Sequence, residues 1–288
     1  MKICVAGLGL IGGSMCMSLK RVGYKVDGFN RSETALQFAL SHNVCDKAVE
    51  NFTDYDLVFV ALPHQATIDF ILNTNFKSGA IVSDICGVKR IIAQEVEKAK
   101  LPINYIGVHP MAGKEVSGVE NACADLFDKA SVVICDGEKV DPDILQAYKK
   151  IIADMGFKYI VECSSELHDK KIAYTSQLAH VVSNCYVNDG EIDGCLGFTG
   201  GSFQDMTRIA GVDENMWASL YLANSENLLV KADNLKASLE QFIKALQLAQ
   251  KCGSEQPIKE FLSVGAKAYR AGKAENFVGD GIKVTALK

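Results

Sequence analysis

His109 is the residue in this chain whose type and place best suit proton transfer. The run Asn104-Tyr105-Ile106-Gly107-Val108 reads as a buried strand, and it stops at His109-Pro110-Met111-Ala112-Gly113. An imidazole at the end of a strand, followed by proline and glycine, lies at the mouth of an α/β sheet, where ligands of that architecture bind. Far upstream, Gly7-Leu8-Gly9-Leu10-Ile11-Gly12 follows the strand-like Lys2-Ile3-Cys4-Val5-Ala6 and opens a helical pattern. In that context Gly7, Gly9, Leu10, Ile11 and Gly12 read as a dinucleotide fingerprint. The glycines let the chain turn tightly and bring backbone N–H groups against a pyrophosphate at a helix N-terminus. A glycine-rich turn with no ligand is the plainer alternative. A nicotinamide site and a base of near-neutral pKa in one sheet suggest a dehydrogenase.

The residues closing the second strand set the expected cofactor. An acidic residue there bonds the ribose hydroxyls and repels a 2′-phosphate. This chain has Asn30-Arg31-Ser32 instead, an amide, a guanidinium and a hydroxyl, all compatible with a phosphate dianion. NADP is therefore expected over NAD. Two alternatives stand beside it: Arg31 stacked on the adenine of NAD, and Asp27 as the acidic partner.

Residues 10–20 carry apolar side chains at helical spacing, and a strand follows over 24–29. Ser32 suits the N-cap of the next helix, which Asn43 ends. Near-continuous apolar runs at 56–63, 80–84 and 131–135 are those of parallel strands covered on both faces. Pro142 begins a helix to about Met155, and a strand spans 158–163. Strands alternating with helices predict a Rossmann-type doubly wound parallel sheet over residues 1–163. Beyond that, 167–187, 215–252 and 255–271 read as helices, giving an all-helical domain over 164–288. The stripe Leu228, Ala232, Leu235, Leu239, Phe242, Leu246 and Ala249 needs a partner along its length, either a closed core or, as expected here, a second chain in a homodimer.

Length and composition agree with two domains: 288 residues, 48% hydrophobic and 23% charged. A formal net charge of −5 argues against nucleic acid or an anionic membrane as partner and leaves a small-molecule substrate. The ten cysteines are scattered, with no C-x-x-C pair, so neither a metal site nor a disulfide framework is expected. With no signal-peptide pattern and no long apolar run, a cytoplasmic location is expected.

Several motifs in succession resemble those of the prephenate/arogenate dehydrogenases of tyrosine biosynthesis. They are Gly7-Leu8-Gly9-Leu10-Ile11-Gly12-Gly13-Ser14, Asp84-Ile85-Cys86-Gly87-Val88-Lys89 and His109-Pro110-Met111-Ala112-Gly113. His168-Asp169, Ser176-Gln177-Leu178-Ala179-His180, Phe203-Gln204-Asp205-Met206-Thr207-Arg208-Ile209-Ala210 and Met216-Trp217 continue the order. The resemblance spans nearly the whole chain. It implies oxidative decarboxylation of prephenate or arogenate, with hydride transfer to NAD(P) and aromatisation of the ring. His109 would accept the hydroxyl proton, and Arg208 would anchor a substrate carboxylate through its planar fork. A helix-end pair of Arg208 with Asp205 is the structural alternative.

Ser176, Gln177 and His180 share one helical face and either line a substrate pocket or form a partly buried face. Glu115 matches a family position at the site entrance, or is a solvated loop residue. His168-Asp169 reads as capping and domain packing rather than catalysis. The chain departs from the family where Cys86-Gly87 replaces Gly-Ser, where Gln177 and Ala179 replace His and Pro, and at Gln204, usually Arg. Two other readings compete. One is a 3-hydroxyacid-type dehydrogenase, disfavoured because Lys170 and Lys171 lack that group's glycine context. The other is a non-catalytic NADP-binding sensor. From the length, neither a fused chorismate mutase nor an appended amino-acid-sensing domain is expected, so any tyrosine inhibition is expected to act at the active site.

Overall fold

The computed structural model describes residues 1–195, 197–274 and 281–287, which form two compact units. The first comprises Met1–Asp169, Val212–Ala223 and Lys283–Lys288; the second comprises Lys170–Gly211 and Asn224–Ile282. The division lies six residues beyond the expected 163/164 boundary, and two later segments return to the first unit.

The first unit opens with β1 (Ile3–Ala6), α1 (Leu10–Arg21), β2 (Val26–Phe29), α2 (Glu33–Ser41) and β3 (Leu57–Val60). It continues with α3 (His64–Asn73), β4 (Ile81–Asp84), α4 (Arg90–Ala99) and the short β5 (Asn104–Tyr105). The five strands form a wholly parallel sheet in the order β2-β1-β3-β4-β5. Every residue of β1, β3 and β4 is buried, as the apolar runs require. Their period-two alternation divides the core between the two faces. Ile3, Val5, Leu57 and Phe59 join one apolar cluster, and Cys4, Ala6, Val58 and Val60 join the other. The strand order reverses between β1 and β3, and the crevice beyond their carboxyl ends is where such sheets bind ligands.

A second sheet in this unit departs from the single parallel sheet expected. It consists of β6 (Gly107–Pro110), β7 (Ser131–Cys135), β8 (Tyr159–Cys163) and β9 (Lys283–Ala286), in that spatial order. β7 and β8 run parallel, while β6 and β9 are antiparallel to their neighbours. The run 104–108 is thus two strands rather than one. The Ile106 N–H still donates to Val82 O in the parallel sheet, but from Gly107 the chain pairs with β7. His109 therefore stands on the mixed sheet. Between β7 and β8, α5 (Pro142–Asp154) starts with Pro142 in its first turn and with Asp141 accepting the N–H groups of Asp143 and Ile144.

Helix α6 (Ser165–Ile172) begins in the first unit and carries the chain into the second. A π-helical turn, Ala173–Gln177, and α7 (Leu178–Val187) continue it, so the helix expected over 167–187 is interrupted. After α8 (Gly201–Arg208), α9 (Glu214–Ala223) belongs to the first unit, and α10 (Ser225–Cys252) and α11 (Gln256–Ala274) to the second. The helix expected over 215–252 is broken at Asn224, whose buried side chain donates to Gln177 Oε1 at 2.8 Å. Within the second unit α10 packs on α11, with Phe242 and Phe261 ring centroids 5.5 Å apart. Leu229, Val230, Ile243 and Leu246 of α10, and Leu262 and Val264 of α11, remain exposed in the single chain. No helix among the described residues is long and apolar enough to cross a membrane.

Candidate active site

The glycine loop joins β1 to α1 with each glycine in a distinct role. Gly7 has φ +99°, and a Cβ there would lie 2.3 Å from the Ala61 carbonyl oxygen. At Gly12 a Cβ would lie 1.9 Å from Gly7 O, so helix and loop meet backbone to backbone. Gly9, the N-cap of α1, has no heavy atom within 4 Å of a Cβ position, and no side chain caps the helix. A tight turn, an open approach and an uncapped helix N-terminus together fit a pyrophosphate. Leu10 and Ile11 open α1 and present its first backbone N–H groups.

At the end of β2 the Asn30 amide is turned inward. Its Oδ1 accepts the Leu8 N–H at 2.9 Å and its Nδ2 donates to Ser32 O at 3.2 Å, so it braces the glycine loop. Ser32 Oγ accepts the Ala35 N–H as the N-cap of α2. Arg31 is exposed. Asp27 accepts the Tyr55 hydroxyl at 2.7 Å and faces Lys47 Nζ at 3.7 Å, so it is occupied within the unit.

His109 lies on β6 at the head of a hydrogen-bonded chain. Its Nδ1 is 2.9 Å from His168 Nε2, and His168 Nδ1 is 2.7 Å from Asp169 Oδ1. Asp169 in turn accepts the N–H groups of Lys89 and Arg90 at the start of α4, at 2.8 and 3.0 Å. The expected capping role of this pair is thus real, but the helix capped is α4. Beside it, the buried Lys89 ammonium bonds the buried Asp84 carboxylate, which also accepts the Tyr105 hydroxyl at 2.6 Å. Sequence reading assigned no role to Lys89, Asp84 or Tyr105; two opposite charges at the ends of one six-residue motif were the available signal.

This setting keeps His109 neutral. Burial first, then the neighbouring His168 and the Lys89 charge, hold its pKa well below the ordinary imidazole value. Burial also lowers the pKa of His168, against the opposing bond to Asp169. Burial and Asp84 push the Tyr105 hydroxyl well up. Next to His109, a Cβ on Gly87 would sit 3.8 Å from the ring's Cε1 and Nε2 and 3.9 Å from Leu220 Cδ2. That is ordinary contact distance, so a Cβ fits where this chain has none. Cys86 is buried, with Sγ 3.3 Å from Thr67 Oγ1 and 3.2 Å from Leu62 O.

The remaining expected residues lie in the loop after β6 and in the second unit. Glu115 is exposed in the loop after β6. In the second unit Ser176 and the buried Gln177 occupy the π-helical turn, an irregularity often found at functional sites. His180 Nδ1 is 2.8 Å from Ile209 O, and Ser183 Oγ donates to Met206 O, so α7 is tied to the end of α8. Arg208 is the exposed last residue of α8.

A family model described as the prephenate dehydrogenase nucleotide-binding domain matches residues 15–161, and one described as the prephenate dehydrogenase dimerization domain matches 164–260. The prephenate dehydrogenase of Lactococcus lactis is 28% identical over 94% of this chain and 77% of its own length. The crystal structure of prephenate dehydrogenase from A. aeolicus, in complex with hydroxyphenyl propionate and NAD+, superposes with a TM-score of 0.82. It is 26% identical over 94% of this chain and 98% of that one. Synechocystis arogenate dehydrogenase gives a TM-score of 0.76 and 26% identity, covering 93% of this chain and 100% of its own. These matches displace the 3-hydroxyacid reading: the chain belongs to the prephenate dehydrogenase family.

Proposed function

We propose that this protein oxidatively decarboxylates prephenate or arogenate, using NADP, with the first unit serving the cofactor and the second serving substrate and dimerisation. The observation that carries this reading is the half-buried His109 on β6, bonded through Nδ1 to His168 and with its pKa held below the ordinary imidazole value, in a chain matched by both family domains. In the reaction the cyclohexadienol loses hydride from C4 and CO2 from C1, and the ring becomes aromatic. Gly7, Gly9, Leu10, Ile11 and Gly12 would hold a dinucleotide, whose nicotinamide would supply the hydride acceptor. His109 accepts the hydroxyl proton, which a protonated imidazole is unable to do. Arg208 holds a substrate carboxylate by a charge-assisted fork. Ser176, Gln177 and His180 are assigned to the substrate pocket, and Glu115 to its entrance. Steady-state kinetics with prephenate and with arogenate, each with NADP+ and NAD+, test the reading; turnover with neither substrate would leave the non-catalytic sensor instead.

Arg208→Ala should raise KM by about 10–100-fold with kcat little changed, since the lost charge pair exists in both ground and transition states. An unchanged KM would assign Arg208 to structure alone.

NADP is favoured because the acidic candidate Asp27 is engaged by Tyr55, while the exposed Arg31 stands beside Ser32 at the end of β2. Arg31→Ala should lower kcat/KM for NADP+ by about 10–100-fold, the worth of a charged hydrogen bond, and leave that for NAD+ nearly unchanged. A wild-type preference for NAD+, unmoved by the substitution, contradicts this assignment.

The exposed apolar residues of α10 and α11 are assigned to a homodimer interface, in keeping with the dimerization-domain match. Light scattering at micromolar concentration should give twice the 31.2 kDa chain mass; a monomer would refute it.

A further inference from the structure

We propose that His168 and Asp169 are positioning residues that set the tautomer of His109, placing its proton on Nδ1 and its accepting lone pair on Nε2. This deepens the reading of His109 as the base and rests on it. The argument follows donors and acceptors along one chain. The Asp169 carboxylate only accepts, and its Oδ1 lies 2.7 Å from His168 Nδ1, so that nitrogen carries the hydrogen. A neutral His168 then has its lone pair on Nε2, and His109 Nδ1, 2.9 Å away, must be the donor. The lone pair of His109 is left on Nε2, the nitrogen beside Gly87.

Each link is held firmly. Asp169 is fixed by the two backbone N–H groups opening α4, and the side chains of His168 and Asp169 are each 1% exposed. The polarity depends on His168 being neutral, because an imidazolium would donate from both nitrogens and reverse the His109 tautomer. Burial favours that neutral form, and the nearby Lys89 charge opposes a second cation. Gly87 offers no hydroxyl to orient the ring, so orientation falls to the His168 bond. The arrangement extends the logic in which a buried carboxylate fixes the tautomer of a catalytic imidazole, here through a second imidazole, with no proton passing along the chain.

The test is long-range proton–nitrogen NMR on the full-length protein with 15N-labelled histidine, assigned with the His109→Asn and His168→Asn proteins. In the wild type at neutral pH, His109 and His168 should both be neutral and protonated on Nδ1. In Asp169→Asn, an amide N–H facing His168 reverses the donors. His109 should shift toward the Nε2-protonated form, and kcat should fall by about 10²–10⁴-fold with a much smaller change in KM. A wild-type His109 protonated on Nε2 overturns the proposal, and the wild-type measurement needs no variant to fold. So does an Asp169→Asn protein whose His109 tautomer and kcat are both unchanged. A switched tautomer with unchanged kcat upholds the positioning role and removes His109 as the base.

Discussion

Replacing His109 with Asn should lower kcat by about 10²–10⁴-fold, roughly 3–5 kcal/mol of transition-state stabilisation, while leaving NADP+ affinity near the wild-type value. Asn is short enough for the site and keeps a polar group toward His168, but it has no proton-accepting nitrogen. The pH profile of the wild type follows from the same residue. Below its pKa His109 is protonated and inactive as a base, so kcat/KM should rise with pH. Because burial, His168 and Lys89 all lower that pKa, the acid limb should lie below the ordinary imidazole value of about 6.5. The groups around it that carry charge or titrate are Lys89 at the start of α4, Asp84 at the end of β4 and, on α6, Asp169 and the neutral His168. An Asn variant with wild-type kcat, or an acid limb above pH 7, would each speak against His109 as the base.

Replacing Lys89 with Met should destabilise the first unit by about 3–5 kcal/mol. The Lys89 and Asp84 side chains are 1% and 0% exposed, and removing the ammonium leaves a carboxylate buried without its charge partner. The Tyr105 hydroxyl and the Cys86 N–H still bond that carboxylate, but neither neutralises it. For a chain of this size the loss corresponds to a fall in Tm of roughly 10 °C. A double substitution, Lys89→Met with Asp84→Leu, should recover part of it, because an apolar pair of similar volume carries no desolvation cost. Denaturant unfolding of both variants measures this. A single-variant loss below about 1 kcal/mol would mean that water or a shifted protonation state relieves the buried charge.

What the sequence disclosed depended on how local the cause was. Gly7 and Gly12 declared their loop because each answers to near neighbours and to Ala61, just beyond β3. The parallel strands were legible because burial on both faces writes an unbroken apolar run. The division of 104–108 was not, since alternation looks the same whichever sheet a strand joins, and the change of partner at Gly107 is decided by distant β7. Nor was the break at Asn224. Apolar spacing continues through it, and the residue at the break bonds Gln177, 47 positions away. The His168-Asp169 pair was read as capping, yet the helix it caps lies about 80 residues upstream. One local sign did exist: Val88-Lys89-Arg90 starts a helix with no Ser, Thr, Asp or Asn before it, so its cap had to come from elsewhere.

The most direct test of the account is a coupled balance of products. Purified protein supplied with prephenate and NADP+ should form reduced cofactor, CO2 and the aromatised keto acid in equal amounts, and the His109→Asn protein should form them at least about a hundredfold more slowly. Arogenate, assayed in the same way, should give the corresponding amino acid if it is the preferred substrate. Reduced cofactor without CO2, or no turnover of either cyclohexadienol with either dinucleotide, would contradict the assigned reaction.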